Sequence, residues 1–161
     1  MNDRSPIEAA KKVWPDQNAT GFDYSDFLHA RGSPRHALFY SGLFWPEFVE
    51  FEGMVFLEQT IEDEADRQRV LETLQRHGGD QGKTEQAFNT IEVPPLFGRR
   101  ADETTNSEDE SLALRLSAMW SARLREAFPA RAFTVEVLPA DESTGEDTAV
   151  RFYQHSGRAE R

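Results

Sequence analysis

The chain contains no cysteine among its 161 residues. This absence excludes a disulfide framework, thiolate zinc sites and cysteine nucleophiles, and it favours a reducing compartment. Long apolar runs are also missing, since the longest one, Ala37 to Trp45, is far shorter than the ~20 residues that a membrane span needs. Met1 to Val13 carries charges and no apolar run, so we expect no signal peptide and a cytoplasmic location.

Positive charge is scarce. The chain has 18 Lys and Arg against 29 Asp and Glu, which gives a formal net charge of −11. A protein that binds nucleic acid normally presents a basic face to the phosphates, so we expect no direct binding to DNA or RNA. An acidic surface suits solubility, or a basic protein partner that is attracted by electrostatic steering.

Sequence signatures of catalysis and cofactor binding are lacking. None of the four histidines, at positions 29, 36, 77 and 155, belongs to a zinc-binding pair such as H-x-x-x-H. Gly82-Lys83-Thr84 ends like a phosphate-binding loop, but His77 stands where the first glycine is required and no apolar strand precedes it. This segment therefore predicts a turn between two helices, and we predict no metal, no cofactor and no catalytic residues.

The length and composition predict one domain that covers residues 1–161. Residues 1–22 are expected to be poorly ordered apart from a short helix, Pro6 to Val13, and residues 155–161 are expected to fray. The absence of a shift in composition along the chain argues against a second domain.

Capping residues and apolar spacing predict the helices. They are expected at Tyr24–Arg31 after Asp23, at Pro34–Phe44 after Ser33, at Ile61–His77 after Thr60, at Lys83–Ile91, and at Glu108–Phe128 with a capping box formed by Ser107 and Glu110. The Pro34–Phe44 helix is apolar nearly all round, which predicts a place in the core or cover by a partner.

Two hairpins complete the predicted fold. Residues 47–58 read as two short strands joined at Glu52-Gly53, with apolar groups on both faces, which indicates a sheet covered on both sides. Ala132–Leu138 and Ala149–Tyr153 read as strands joined by an acidic loop. The prediction is thus an α+β fold, with a small antiparallel sheet of about four strands packed with four to six helices.

The segment from His36 to Asp66 carries the strongest indication of function. It has eight acidic residues and no Lys or Arg, and aromatic residues lie between the acids. Aromatic side chains supply contact area at interfaces and carboxylates attract cations, so the segment predicts a partner-binding surface. The candidate residues are Trp45, Glu47, Glu50, Glu52, Glu62 and Asp63. The alternative is that the aromatics are core and the acids only solvated, and the sequence leaves this open for residues 44–66.

These observations favour an acidic protein-binding module with a basic protein partner. Such a module could be an immunity-type inhibitor of a basic toxin, or an adaptor or chaperone. One alternative is a small enzyme whose site lacks a sequence signature, with His29, His36 or His155 near a carboxylate. Another is an inhibitor that mimics DNA, although 18 Lys and Arg make a purely acidic face harder to build. Homo-oligomerisation is left open.

Overall fold

A computed structural model of the chain describes residues 23–103, 105–141 and 143–155. The predicted helix Pro6–Val13 and most of the predicted poorly ordered ends lie outside these residues. Contacts divide the chain after Gly42 into two compact units, residues 1–42 and 43–161. The single domain expected from the length stays a prediction.

The first unit contains helix α1, Tyr24–Arg31, and most of helix α2, Pro34–Phe44. Asp23 caps α1 by accepting a 3.0 Å hydrogen bond from the Asp26 backbone, and the helix ends at Gly32, as predicted. No residue of α2 is buried, and Leu38 and Phe39 are 74% and 71% exposed. The apolar residues of α2 are therefore not buried, although Leu43 and Phe44 at its end pack against the core of the second unit.

The second unit begins with a two-stranded antiparallel hairpin, β1 (Phe48–Phe51) and β2 (Met54–Leu57). The turn is at Glu52-Gly53 as predicted, and both residues have positive φ values, 53° and 78°. Val55 and Leu57 belong to one core cluster, whereas Met54 and Phe56 belong to another. The hairpin is thus covered on both faces, which confirms that prediction.

Helices α3 (Glu64–Arg76) and α4 (Gln81–Phe88) follow a short 3-10 turn, Glu58–Thr60. The predicted start of α3 was wrong. Asp63, not Thr60, is the cap, because its carboxylate accepts a hydrogen bond from the Asp66 backbone while the Asp66 carboxylate accepts one from the Asp63 backbone.

One strand, the third in chain order, was not predicted. We expected Lys83–Ile91 to be one helix, but α4 ends at Phe88 and Thr90–Glu92 forms β3. Strand β3 pairs with β5 (Ala149–Gln154), which also pairs with β4 (Phe133–Leu138), so the order is β3-β5-β4 and all pairs are antiparallel. The described residues therefore form five helices and two small sheets, and the expected count of about four strands was too low.

Between β3 and β4 lie a 3-10 segment, Pro94–Glu103, and the long helix α5, Asn106–Ala127. The capping box of α5 is formed by Thr105 and Glu108, rather than by the predicted Ser107 and Glu110. No described helix is long and apolar enough to cross a membrane.

The larger core cluster lies between α5, the hairpin and the inner face of the three-stranded sheet. Trp120 of α5 is 1% exposed, and its ring meets that of Phe152 edge-on at 6.1 Å between centroids. Its indole Nε1 donates a 2.8 Å hydrogen bond to the Leu43 carbonyl. Phe48 also packs edge-on against Phe152, at 5.6 Å. This core fixes the position of the chain on either side of Trp45.

Candidate partner-binding surface

The acids of the His36–Asp66 segment lie at the surface. Seven of them are exposed, and the eighth, Asp66, is half-buried. Most of the aromatics are not available to a partner, because Phe56 is buried and Phe44, Phe48 and Phe51 pack against the core. Three aromatics of the segment are exposed: Trp45 at 41%, and Phe39 and Tyr40 of α2 at 71% and 46%. Each of the two interpretations therefore holds for part of the segment: the acids, Trp45, Phe39 and Tyr40 are at the surface, whereas Phe44, Phe48, Phe51 and Phe56 lie in or against the core.

Trp45 and Glu47 are brought together by an arginine distant in sequence. The Arg123 guanidinium lies 5.9 Å from the centre of the Trp45 ring and donates a 2.8 Å hydrogen bond from Nη2 to Glu47. It also donates to the Pro46 carbonyl at 3.2 Å and to Glu126 at 3.2 Å. Only 17% of the Arg123 side chain is exposed, so its position is fixed by its surroundings.

Glu50 has a similar partner in Arg131, which follows α5. The Arg131 Nη2 donates to the Glu50 carboxylate, and the guanidinium lies 5.3 Å from the centre of the Phe128 ring. The other terminal nitrogen, Nη1, is buried and has no hydrogen-bond partner among the described residues. Trp45 and Glu47 thus share Arg123, and Glu50 contacts Arg131, which follows α5.

Glu52 lies at the tip of the hairpin, where its backbone carbonyl accepts a 2.9 Å hydrogen bond from Gln81. Its side chain has no ion pair among the described residues, and the same is true of Glu58 and Glu62. These three carboxylates are exposed and are not neutralised by a described cation.

Glu62 and Asp63 precede α3 and are tied to its first turn. The Asp66 carboxylate accepts a 2.8 Å hydrogen bond from the Glu62 backbone and a weaker one from the Asp63 backbone. The Glu62 bond, followed by the Asp63 bond and the Arg69 guanidinium, holds the pKa of Asp66 below its usual value, although partial burial opposes the shift. Asp63 therefore has a structural task, which reduces its availability to a partner.

Two buried polar side chains were not identified from the sequence. Glu85 of α4 is fully buried, and its Oε1 accepts hydrogen bonds from the Val55 backbone at 2.8 Å and from Gln154 Nε2 at 2.6 Å. Its Oε2 accepts a 2.5 Å bond from the Gln154 backbone. Asn89 accepts from the Leu57 backbone at 3.2 Å and donates to the Val55 carbonyl at 2.8 Å. These side chains satisfy the free edge of β2 and join it to β5.

The described residues offer little that resembles a catalytic centre. They contain no group of three His, Asp or Glu side chains placed to hold a metal ion. His77 and His155 contact the hydroxyls of Thr84 and Thr134, at 3.3 and 2.7 Å. None of the four histidines, all of which are described, forms an ion pair or hydrogen bond with a described carboxylate.

Among the described residues, two grooves bear on the question of a binding site. One, of about 760 Å³, lies along α3 and α4, where its arginines are already engaged: Arg69 with Asp66 and Arg76 with Thr73, both at 2.6 Å. The other, of about 680 Å³, lies on the outer face of the three-stranded sheet beside Leu138.

Comparison with known proteins identifies no relative: no family model, no curated protein and no solved structure matches this chain.

Proposed function

We propose that this chain is an acidic protein-binding module and that its partner is a basic protein. The observation that supports this most is the exposure of the acids in the His36–Asp66 segment, which contains no Lys or Arg, together with the exposed Trp45 near its start. Tryptophan is enriched among the residues that contribute most to interface affinity, and carboxylates favour a partner of opposite charge.

The arginines that contact Trp45, Glu47 and Glu50 prepare this surface for binding. Arg123 and Arg131 restrict the side chains of Glu47 and Glu50, so less conformational freedom is lost when a partner orders them. Each carboxylate has a second oxygen, and each oxygen has more than one lone pair, so a paired glutamate still accepts a bond from an incoming cation. Glu52, Glu58 and Glu62, which have no ion pair among the described residues, add negative potential to the segment.

The physical roles of the two residue types are different. An exposed ion pair contributes at most about 1 kcal/mol, so the acids mainly accelerate association and make it sensitive to salt. Trp45 supplies the apolar area on which residence time depends. Such a surface suits an immunity-type inhibitor of a basic toxin, and it also suits an adaptor or chaperone for a basic client.

The test is a pull-down from host lysate with the purified chain as bait, at low and at moderate salt, with mass spectrometry of the retained proteins. We expect one basic protein, retained at low salt and weakened by added salt. Trp45→Ala should reduce its retention at least tenfold, and Glu47→Gln with Glu50→Gln should reduce the salt dependence. The charge-matched control is Glu72→Gln with Glu110→Gln, which removes two exposed acids outside the segment.

Failure to retain a basic protein at either salt concentration would refute the proposal. A control variant that loses as much partner as the Glu47 and Glu50 variant would show that net charge acts without a defined surface. In that case the assignment of these residues would be wrong.

A further inference from the structure

We propose that the outer edge of β4 receives an extended, basic segment of the partner as an additional strand. The inference depends on the proposed function only for the charge of the partner. It concerns β4, an element that does not carry Trp45, Glu47 or Glu50, and rests on the hydrogen bonding of the three-stranded sheet.

The direction in which each β5 residue presents its backbone follows from two contacts. The Thr148 carbonyl, just before β5, accepts a 2.8 Å hydrogen bond from Val93, and the Gln154 backbone N–H donates to Glu85 of α4. Both groups therefore point to the side of β3 and α4. Because successive residues of a strand alternate, Ala149, Arg151 and Tyr153 present their backbone groups to β4.

Register then gives the orientation of β4. Thr134, Glu136 and Leu138 are opposite Tyr153, Arg151 and Ala149, so they form the hydrogen-bonded pairs. The N–H and C=O groups of Phe133, Val135 and Val137 consequently point away from β5. No described residue hydrogen bonds to these outward groups. Their side chains pack against the core, which holds the edge in place.

This edge lacks the features that usually prevent strand addition. Strand β4 has six residues with no Pro, Lys or bulge among them, and its one charged side chain, Glu136, is engaged by Arg151. By comparison, β3 has three residues and is followed by Pro94, and the free edge of β2 is satisfied by Glu85 and Asn89. A regular, unpaired edge of this length is a template for β-augmentation, in which main-chain hydrogen bonds provide affinity.

Charge identifies the occupant. The groove of about 680 Å³ beside Leu138 is lined by four exposed acids, namely Glu92, Asp141, Glu146 and Asp147. Its one cation, Arg151, already donates a 2.6 Å hydrogen bond to Glu136. Two of these acids, Asp141 and Glu146, pair in the loop that follows β4. Lysine or arginine on an added strand next to Leu138 would approach them, whereas an acidic strand would be repelled.

A second copy of the chain fits the edge less well. Each copy carries a net charge of −11, which disfavours self-association. Antiparallel pairing of two β4 strands centred on Glu136 would also place two glutamates directly opposite each other, which is destabilising.

The experiment uses the full chain and a synthetic six-residue peptide in which lysine and valine alternate. The matched control alternates glutamate and valine. We expect the basic peptide to bind at least tenfold more tightly than the acidic one and to shift the backbone amide resonances of Phe133, Val135 and Val137. N-methylation of the peptide amides on one edge should reduce affinity at least tenfold, whereas N-methylation of the other edge should change it less than twofold.

A protein variant provides the second test. Val135→Pro removes an outward N–H and leaves the β4–β5 bonds in place, because the Val135 backbone does not point toward β5. We expect it to lose peptide binding at least tenfold, and the Trp120 near-ultraviolet signal should confirm that the core is retained.

Three results would overturn the inference. The first is equal affinity for the basic and acidic peptides, and the second is peptide affinity that N-methylation of either edge does not change. The third is a dimer of the chain in analytical sedimentation that Val135→Pro abolishes. Failure here is distinguishable from failure of the proposed function. Retention of the lysate partner by Val135→Pro but not by Trp45→Ala would leave the function and refute this edge as its site. Peptide binding without any basic partner from the lysate would support the β4 edge as a binding site and refute the proposed function.

Discussion

Glu85→Gln is the substitution whose effect the structure specifies most closely. The native carboxylate accepts three hydrogen bonds and donates none. A glutamine must place an NH₂ group at one of the two oxygen positions. The less costly choice keeps its oxygen at Oε1, which serves both Val55 and the Gln154 side chain, and turns the NH₂ group toward the Gln154 backbone N–H. Two donors then face each other across a contact that is 2.5 Å in the native chain.

The magnitude follows from the loss of one hydrogen bond to a charged group and from the donor that is left without an acceptor. Such a loss costs about 1.5–3 kcal/mol of unfolding free energy. For a chain of this size that corresponds to a decrease in melting temperature of roughly 3–12 °C. Glu85→Ala should cost more, about 3–5 kcal/mol, because the Val55 N–H, which lies in the core, also loses its acceptor.

Urea unfolding monitored by tryptophan fluorescence measures the free energy, and amide hydrogen exchange locates the change. In Glu85→Gln the Gln154 amide should exchange faster while the Val55 amide stays protected relative to global unfolding. Glu58→Gln is the control, since Glu58 is an exposed glutamate without a described ion pair. A Glu85→Gln variant within 0.5 kcal/mol of the native chain, with unchanged exchange at Gln154, would refute this account of the buried carboxylate.

Other substitutions and conditions test separate parts of the structure. Because the pKa of Asp66 is lowered on folding, the unfolded chain takes up the proton first as the pH falls. The stabilisation by the Asp66 carboxylate is therefore complete above about pH 4 and is lost at more acidic pH. The unfolding free energies of the native and Asp66→Asn chains, measured in urea, should become equal at that acidic pH. A difference that stays constant with pH would contradict this role of Asp66. Leu38→Ser and Phe39→Ser should each change the unfolding free energy by less than about 0.5 kcal/mol, because both side chains are exposed, and a loss above 1 kcal/mol would show that they are covered. Trp120→Phe should cost about 1–3 kcal/mol in chemical denaturation, since it leaves a void and removes the donor to the Leu43 carbonyl; a neutral result would contradict the core packing.

Local signals explain which elements could be predicted from the sequence. The hairpin was predictable because Glu52-Gly53 favours a tight turn and its flanking strands have apolar residues on both faces. Helix starts were less certain wherever several capping residues occur close together. Thr60 and Asp63 are both good caps, and the choice of Asp63 depends on its reciprocal bond with Asp66.

Long-range contacts explain what could not be predicted. Strand β3 has only three residues and follows a helix directly, so its identity comes from pairing with β5. The arginines that contact Trp45 and Glu50 are far away in sequence, and no local pattern marks them as partners. Glu85 looks like an ordinary surface residue of a helix, because its burial depends on Val55 and Gln154 arriving from either side.

The central position of β5 has a consequence for how the chain folds. Strands β3 and β4 do not pair with each other, and both use β5 as their only neighbour in the sheet. During synthesis β5 emerges after the other described elements, so β3 and β4 have no strand to pair with until then. The hydrogen bond from the Gln154 backbone to Glu85, which joins residues 69 apart in the chain, also cannot form before β5 emerges. Helix α5 and the hairpin can form earlier because their contacts are local, whereas the sheet requires closure of long loops. The nascent chain therefore passes through a stage with unpaired strands and an exposed apolar face, a stage at which binding by a chaperone or by the ribosome surface would affect the yield of folded protein.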